Sequence, residues 1–185
     1  METESILGYA LLGLIHQQPM SGYDLRKLFA TTAMGSYSDS PGAIYPALRR
    51  LEARGMAAST VEEPSSLRPR RVYRATPAGI EAFRAWMHKP VTRDDVMRGI
   101  PGLILRFAFM DDAAGPARAA SFLREVANQI EAYLPELRQF LGSHAAEMPL
   151  SGRLALECGI EEYEMRLGWA RRSISLYEKE RGQSK

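Results

Sequence analysis

The sequence predicts a mainly α-helical protein with one β-hairpin in its first half. The first half contains three helical segments, two short runs with β-like alternation and then a fourth helix. The second half contains two long segments with a regular helical spacing of apolar residues. Three helices followed by a hairpin and a helix is the order of an N-terminal winged helix-turn-helix with a two-stranded wing, and the rest of the chain is expected to be all-helical.

The composition is that of an ordinary globular protein. Of the 185 residues, 45% are hydrophobic and 25% are charged, which excludes wholesale disorder. The single cysteine, Cys158, excludes an intrachain disulfide framework, and its place between apolar helical positions predicts that it is buried. The apolar stretch 6–15 is too short to cross a bilayer, and it follows acidic residues where a signal peptide needs basic ones. We therefore expect a cytoplasmic protein that does not engage membranes.

Local signals mark the boundaries of the first three helices. The first helix is predicted over residues 5–17, and the S-x-x-D sequence at 21–24 is a capping box that opens the second. The third helix is predicted to begin with Ser40 as its N-cap and Pro41 at its first position. Its end is predicted at Gly55, because glycine is the usual residue just past a helix C-terminus.

The third helix is predicted to have one buried face and one exposed face. Residues at i, i+4 and i+7 share a face of a helix. Pro46 falls inside this helix, where it would remove the hydrogen bond to the Gly42 carbonyl and crowd that carbonyl. The predicted buried set is Ile44, Leu48 and Leu51. The set turned towards solvent or a ligand is Tyr45, Arg49 and Arg50.

The hairpin and the fourth helix follow. Two β-like runs are predicted over 56–62 and Arg70–Ala75, and turn-forming residues at 63–69 join them. The pair Thr76-Pro77 combines a cap with a proline and starts a fourth helix, which is predicted to end before Pro90.

The second half is predicted to contain two long helices with coiled-coil spacing. In each of them seven apolar positions are separated alternately by four and three residues, and the last helix thereby gains a surface suited to self-pairing. Pro135 is expected to kink the first helix or to end it near Leu134. The positions are Ala119, Leu123, Val126, Ile130, Tyr133, Leu137 and Phe140 in the first helix, and Leu156, Ile160, Tyr163, Leu167, Ala170, Ile174 and Tyr177 in the second.

Positive charge is concentrated in the third helix and the hairpin. Residues 49–74 contain seven arginines and three glutamates, a net charge of +4, whereas the whole chain carries +2. The planar guanidinium of arginine suits phosphates and guanine edges better than the lysine ammonium does. An exposed N-terminus of the third helix would also offer free N–H groups to a phosphate. An ordinary solvated face is the alternative interpretation of such a charge run.

Four sequence blocks resemble PadR-family transcriptional regulators. They are 6–12 (ILGYALL), 21–25 (SGYDL), 40–55 (SPGAIYPALRRLEARG) and 73–79 (YRATPAG). The specific signal is Ser-Pro-Gly-x-x-Tyr-Pro-x-Leu in the third block, which identifies the Tyr-Pro pair as a family feature. The long helical second half is similar in length and helicity to that of the larger relatives, including the virulence-activator type. The wing tip at 67–71 (LRPRR) departs slightly from the family pattern but stays basic.

This resemblance implies a sequence-specific DNA-binding regulator. We expect a repressor that binds double-stranded DNA at an inverted-repeat operator, as a homodimer through the C-terminal helices, with 1–90 as the DNA-binding domain and 91–185 as the dimerisation domain. A small aromatic or amphipathic effector is expected to release it, with Trp169 as the first candidate contact and ordinary packing as the alternative role of that residue. The residues expected at the DNA are Ser40, Tyr45, Arg49, Arg50, Arg68, Arg70 and Arg71.

Two other functions stay open at this point. An activator of the same family would have the same fold, and a winged-helix protein-interaction module without DNA binding would also suit exposed arginines. An enzyme is not expected, because the chain has no phosphate-binding loop, nucleophile elbow or zinc-protease motif. The three histidines are dispersed, so we expect neither a metal site nor a cofactor.

Overall fold

The computed structural model describes residues 4–32, 41–62 and 69–183. They form two compact units, Met1–Lys89 with Ile104–Phe109 and Pro90–Leu103 with Met110–Lys185. The expected division into domains at residue 90 stays a prediction. No helix in the described part of the chain combines the length and hydrophobicity that a bilayer crossing needs. The elements are α1 (Ile6–Gln17), β1 (Met20–Ser21), α2 (Gly22–Thr31), α3 (Ile44–Ala53), β2 (Ala57–Glu62), β3 (Arg70–Ala75), α4 (Pro77–His88), α5 (Arg93–Arg98), α6 (Ile100–Ala108), α7 (Met110–Ala114), α8 (Pro116–His144) and α9 (Leu150–Gln183).

The first unit is built on one apolar core beneath α1, α3 and α4. The predicted apolar face of α3 is fully buried, and so are Leu11 of α1 and Phe83 of α4. Tyr9 stacks on Trp86 with ring centroids 4.6 Å apart, which joins α1 to the end of α4. These contacts confirm the mainly α-helical winged helix-turn-helix that the apolar spacing predicts.

The wing is part of a three-stranded sheet rather than a two-stranded one. The strand order is β1-β3-β2, and both pairings are antiparallel. The third strand, β1, is only two residues long, and it pairs Met20 with Tyr73 and Ser21 with Val72. So short a run shows no alternation, which is why the sequence pattern missed it. We call β2, β3 and the segment between them the wing.

Ser21 holds the start of α2 against the sheet. Its hydroxyl accepts a hydrogen bond from the Asp24 N–H at 3.1 Å, and the Asp24 carboxylate accepts one from the Ser21 N–H at 3.2 Å. This is the predicted capping box. Because Ser21 also belongs to β1, the cap of α2 and the edge of the sheet share one residue.

The third helix begins later than the sequence predicts. Pro41–Ala43 is a short 3-10 helix, and α3 begins at Ile44 with Ala43 as an N-cap that has no side-chain hydrogen bond. The proposed cap, Ser40, lies outside the described residues. Pro46 is therefore the third residue of α3, in the first turn, where N–H groups have no partner within the helix. The predicted loss of a hydrogen bond inside the helix was wrong for this reason.

The end of α3 is as predicted. Gly55 has a φ of +69°, the left-handed conformation that favours glycine. Its N–H donates to the Glu52 carbonyl at 2.9 Å, and the Met56 N–H donates to the Leu51 carbonyl at 2.8 Å. These two bonds form a Schellman motif, which satisfies carbonyls that the helix end would leave without partners. The motif turns the chain directly from α3 into the wing.

In the second unit, α8 and α9 pack against each other along their predicted heptad positions. Tyr133 and Tyr163, one such position from each helix, pack edge to face at 5.3 Å. Ion pairs link the two helices along their length, with Arg138 and Glu164 2.6 Å apart near one end. The coiled-coil spacing of the last helix, which the sequence suggests for self-pairing, is therefore used for packing on α8 within the chain.

Pro135 does not end α8, which continues from Pro116 to His144. Of the two expected effects of Pro135, an end near Leu134 is wrong, and a kink stays a prediction. A proline inside a helix removes one hydrogen bond at a cost of about 3 kcal/mol or more. Burial of the face of α8 that includes Ile130 and Leu134 offsets that cost.

The opposite face of α9 carries three exposed apolar side chains among charged ones such as Arg172. Leu154, Met165 and Leu176 are 51%, 59% and 61% exposed and repeat every 11 residues. Eleven residues are close to three helical turns, so the three side chains lie along one stripe, here called the outer stripe of α9. Cys158 lies one turn after Leu154 and is exposed, so the prediction that it is buried was wrong. The heptad face that packs on α8 leaves Cys158 on the far side of the helix.

Two tyrosines of α9 dock the shorter helices of the second unit. The Tyr163 hydroxyl donates to the Val96 carbonyl at the end of α5, at 3.1 Å. The Tyr177 hydroxyl donates to the Asp111 carboxylate of α7 at 2.8 Å. Burial and this neighbouring carboxylate raise the pKa of Tyr177 to about 12.

Candidate nucleic-acid interface

A groove of about 450 Å³ lies in the first unit, between α3, the start of α2 and β3. Three tyrosines and three arginines contribute to its walls. Such a surface offers cationic donors and aromatic faces together, which suits a polyanion with sugar and base rings. The lining residues are Ser21, Gly22, Tyr23, Tyr45, Arg49, Pro69, Arg70, Arg71 and Tyr73, here called the arginine–tyrosine groove.

The wall formed by α3 is oriented by its buried face. Ile44, Leu48 and Leu51 have no exposed surface, so the opposite side of the helix carries Tyr45 and Arg49 outwards. Tyr45 is 39% exposed and its ring lies against Gly22. A Cβ atom on Gly22 would be 2.6 Å from Cε1 of Tyr45, closer than real side chains come. Glycine at this position therefore lets the ring rest on the start of α2.

The wall formed by the wing is held by two ion pairs. Arg70 pairs with Glu62, its cross-strand neighbour, at 3.1 Å. Arg71 pairs with Glu52 of α3 at 3.5 Å. Both arginine side chains are half exposed, so they keep donors for another anion.

One arginine of the basic cluster serves the fold instead. Nη1 of Arg54 lies 2.8 Å from Oε2 of Glu4, whose side chain is only 5% exposed. This pair joins the segment before α1 to the end of α3. Within the described residues, Arg49, Arg50 and Arg74 have no carboxylate at ion-pair distance and are exposed.

The described structure brings together most of the residues expected at the DNA. Tyr45 and Arg49 of α3 and Arg70 and Arg71 of β3 line one groove. Arg50 is exposed on α3 but is not part of the groove lining. Two further candidates, Ser40 and Arg68, lie outside the described residues. The effector candidate, Trp169, belongs to α9 in the second unit and is half-buried.

Sequence patterns missed the contribution of α2 to this groove. Gly22 and Tyr23 line it, and Tyr23 is 60% exposed. The capping box at 21–24 marked a helix start, and an exposed aromatic residue beside a cap was the signal that could have suggested a surface role. Tyr73 of β3 also lines the groove, although it is only 5% exposed.

Comparison with known sequences gives a family match within the first unit. Residues 11–85 match the profile of the transcriptional regulator PadR-like family. The chain is similar to the negative transcriptional regulator PadR of Bacillus subtilis, with 27% identity over 88 residues that cover 46% of this chain and 48% of that protein. It is also similar to a transcriptional regulator of Mycobacterium tuberculosis, with 56% identity over 47 residues that cover 25% and 43% of the two chains. The matched segment spans less than half the length of each of these relatives.

Solved structures of regulators of the same family are also similar. One from Eggerthella lenta has 32% sequence identity, covers 41% of this chain and 67% of its own, and gives a TM-score of 0.33. Bacillus subtilis PadR in complex with operator DNA has 19% identity, covers 93% of this chain and 99% of its own, and gives a TM-score of 0.43. The family match therefore rests on sequence and not on these superpositions.

Proposed function

Because the chain belongs to the PadR-like family of transcriptional regulators, we propose that it binds double-stranded DNA through the arginine–tyrosine groove and the exposed face of α3. The observation that carries the proposal is the placement of Tyr45, Arg49 and two wing arginines along one groove. In this proposal α3 enters the major groove, with Tyr45, Arg49 and Arg50 towards the DNA. The wing arginines contact the flanking phosphates. Phosphate contacts set the register, and contacts to base edges provide specificity.

The working form is proposed to be a homodimer through the C-terminal helices. The support is the outer stripe of α9, where Leu154, Met165 and Leu176 expose apolar surface opposite the face that packs on α8. Exposed apolar stripes of this kind mark interaction sites. An 11-residue repeat suits pairing of helices with a right-handed supercoil, and two-fold pairing of this stripe would present two α3 helices to an inverted repeat.

A repressor is the proposed direction of regulation. The Bacillus subtilis relative is a negative transcriptional regulator, and it is similar to this chain over 88 residues. A small aromatic or amphipathic effector is proposed to act on the second unit. Trp169, four residues after Met165 on α9, lies beside the outer stripe, so an effector there would act on the dimer contact itself.

A salt titration with matched variants tests the DNA-binding proposal. Fluorescence anisotropy with a duplex from the promoter of the chain's own gene measures affinity at several salt concentrations. Affinity is expected to fall as salt rises, because bound arginines release counterions from phosphates. Replacing Arg49 and Arg71 together with alanine is expected to weaken binding by at least about tenfold and to flatten the salt dependence.

Arg54→Ala is the matched control for the double variant. It also removes an arginine of the basic cluster, but one that follows α3 and is paired with buried Glu4. We expect it to bind DNA with nearly the affinity of the unaltered protein at a temperature where it is folded. An affinity that does not change with salt concentration would refute the proposal. A double variant that binds DNA as tightly as Arg54→Ala would also refute it.

Sedimentation equilibrium tests the dimer separately. Met165→Glu places a charge in the outer stripe and is expected to convert a dimer into a monomer. Ser175→Glu is the control, since Ser175 is also exposed on α9 but lies about 80° away around the helix. A dimer that survives Met165→Glu as well as it survives Ser175→Glu does not use the outer stripe.

A further inference from the structure

Glu52 joins α3 to both strands of the wing. Its Oε1 accepts a hydrogen bond of 2.5 Å from the hydroxyl of Ser59 on β2. Its Oε2 lies 3.5 Å from Nη1 of Arg71 on β3. Each carboxylate oxygen therefore serves a different strand, and one side chain ties the helix to the hairpin at two points.

These contacts involve residues that line the arginine–tyrosine groove or lie next to it. Glu52 comes three residues after Arg49, so the two lie on neighbouring positions of the same side of α3. Arg71 is itself a groove residue. A guanidinium has five N–H donors, and the Arg71 side chain is 56% exposed, so pairing with Glu52 orients it and leaves donors for a phosphate.

An acidic residue in a basic DNA interface is unfavourable for binding, so its presence needs an explanation. Its negative charge repels phosphates and lowers affinity for any duplex. Glu62 has the same cost, yet among the described residues its ion pair is with Arg70, its cross-strand neighbour, and not with a helix. The difference between the two acids is the link from the wing to α3.

The geometry points to Glu52 as a positioning residue that holds the wing and Arg71 at a set distance from α3, so that backbone contacts and base contacts fall in register on the DNA. The inference rests on the proposed function. Glu52 touches no base or phosphate in this scheme. It reduces affinity for all DNA slightly and raises the preference for one sequence over others.

The test compares Glu52→Ala with the matched control Glu62→Ala. Each variant is titrated with a duplex that the unaltered protein has selected from a random pool and with a scrambled duplex of the same length. Both variants remove one negative charge, so both are expected to bind the scrambled duplex slightly more tightly. Only Glu52→Ala is expected to lower the ratio of the two affinities, by about two- to tenfold, the range that one net hydrogen bond contributes.

Three further variants separate positioning from loss of structure. Ser59→Ala removes one of the two links without a change of charge, so it is expected to lower the affinity ratio while binding to the scrambled duplex is unchanged. In an Arg71→Ala background, Glu52→Ala is expected to lose most of its effect on the ratio, because the residue it positions is gone. Glu52→Gln keeps an acceptor for Ser59 and is expected to restore part of the ratio.

The outcomes distinguish this inference from the proposed function. If Glu52→Ala and Glu62→Ala change the ratio equally, or if Glu52→Ala has its full effect without Arg71, the positioning role is refuted and DNA binding stands. If the unaltered protein selects no duplex at all, the proposed function is refuted and the inference falls with it.

Discussion

Gly79→Ala is expected to destabilise the protein although alanine is the better helix former. Gly79 is the third residue of α4 and is buried against the turn that joins α3 to the wing. A Cβ atom there would lie 2.0 Å from the carbonyl oxygen of Met56. The same carbonyl accepts the Thr76 N–H at 3.0 Å, and the Thr76 hydroxyl donates to the Gly55 carbonyl at 2.6 Å. The base of α4 is therefore fixed to backbone that sets the direction of the wing.

The size of the effect follows from what must move. The close atom belongs to the backbone and not to the end of a flexible side chain, so α4 or the turn must shift by about 1 Å to reach ordinary contact. Overpacking costs about 1–3 kcal/mol, and more where backbone has to move. The helix propensity of alanine returns about 1 kcal/mol. We expect a net loss of about 2 kcal/mol in the free energy of unfolding, or about 4–8 °C in Tm.

Urea unfolding followed by circular dichroism measures this loss. Gly159→Ala is the control, because Gly159 lies in α9 and a Cβ atom there meets no heavy atom within 4 Å. That variant is expected to gain about 0.5–1 kcal/mol. If Gly79→Ala were as stable as Gly159→Ala, the close packing of α4 on the Met56 carbonyl would be wrong.

Three further predictions concern single side chains. Arg54→Ala leaves the Glu4 carboxylate buried without its guanidinium partner. Because Arg54 is one-third exposed, we expect the free energy of unfolding, measured with urea, to fall by about 1–3 kcal/mol, and a fall below about 0.5 kcal/mol would contradict the pair's role. Folding raises the pKa of Tyr177 from 10.0 to about 12, so its contribution to stability is present below pH 10 and is lost as the pH rises through 12. Tyr177→Phe should remove that part of the pH dependence. If the free energy of unfolding changed with pH between 10 and 12 by the same amount in both proteins, this prediction would be contradicted. Gly22→Ala should displace the Tyr45 ring and weaken binding to a selected duplex by about two- to tenfold in an anisotropy titration, with Tm nearly unchanged; an unchanged affinity would show that the position of Tyr45 is unimportant.

Features with local causes could be predicted from the sequence. The capping box at Ser21, the glycine stop at Gly55 and the start of α4 after Thr76 are each set by a few neighbouring residues, and the structure has all three. The buried face of α3 follows from its period, so the outward direction of Arg49 follows as well.

Features that depend on distant residues could not be predicted. The start of α3 moved from residue 41 to Ile44, where Pro46 falls in the first helical turn. The heptad spacing of α9 is consistent with pairing to α8 or to another chain, and period alone does not distinguish the two. The contact of Tyr45 with Gly22 joins positions 23 residues apart, and no local pattern marks it.

Counting charged residues located the basic cluster, but it did not show which arginines form ion pairs within the fold. The sequence places seven arginines between residues 49 and 74. The structure pairs Arg54 with a buried glutamate and Arg71 with Glu52, while Arg49 has no carboxylate at ion-pair distance among the described residues. Which arginine serves the fold depends on where acids from other elements come to lie.

Selection of DNA from a random pool by the full chain, followed by sequencing, tests the central claim most directly. A dimer that presents two α3 helices to DNA should enrich an inverted repeat whose half-sites are centred about 10–10.5 base pairs apart or a multiple of that spacing. The Arg49→Ala variant should enrich the same symmetry weakly or not at all. A pool that stays random after selection with the unaltered protein would contradict sequence-specific DNA binding, and enrichment of a single site without symmetry would contradict the dimer.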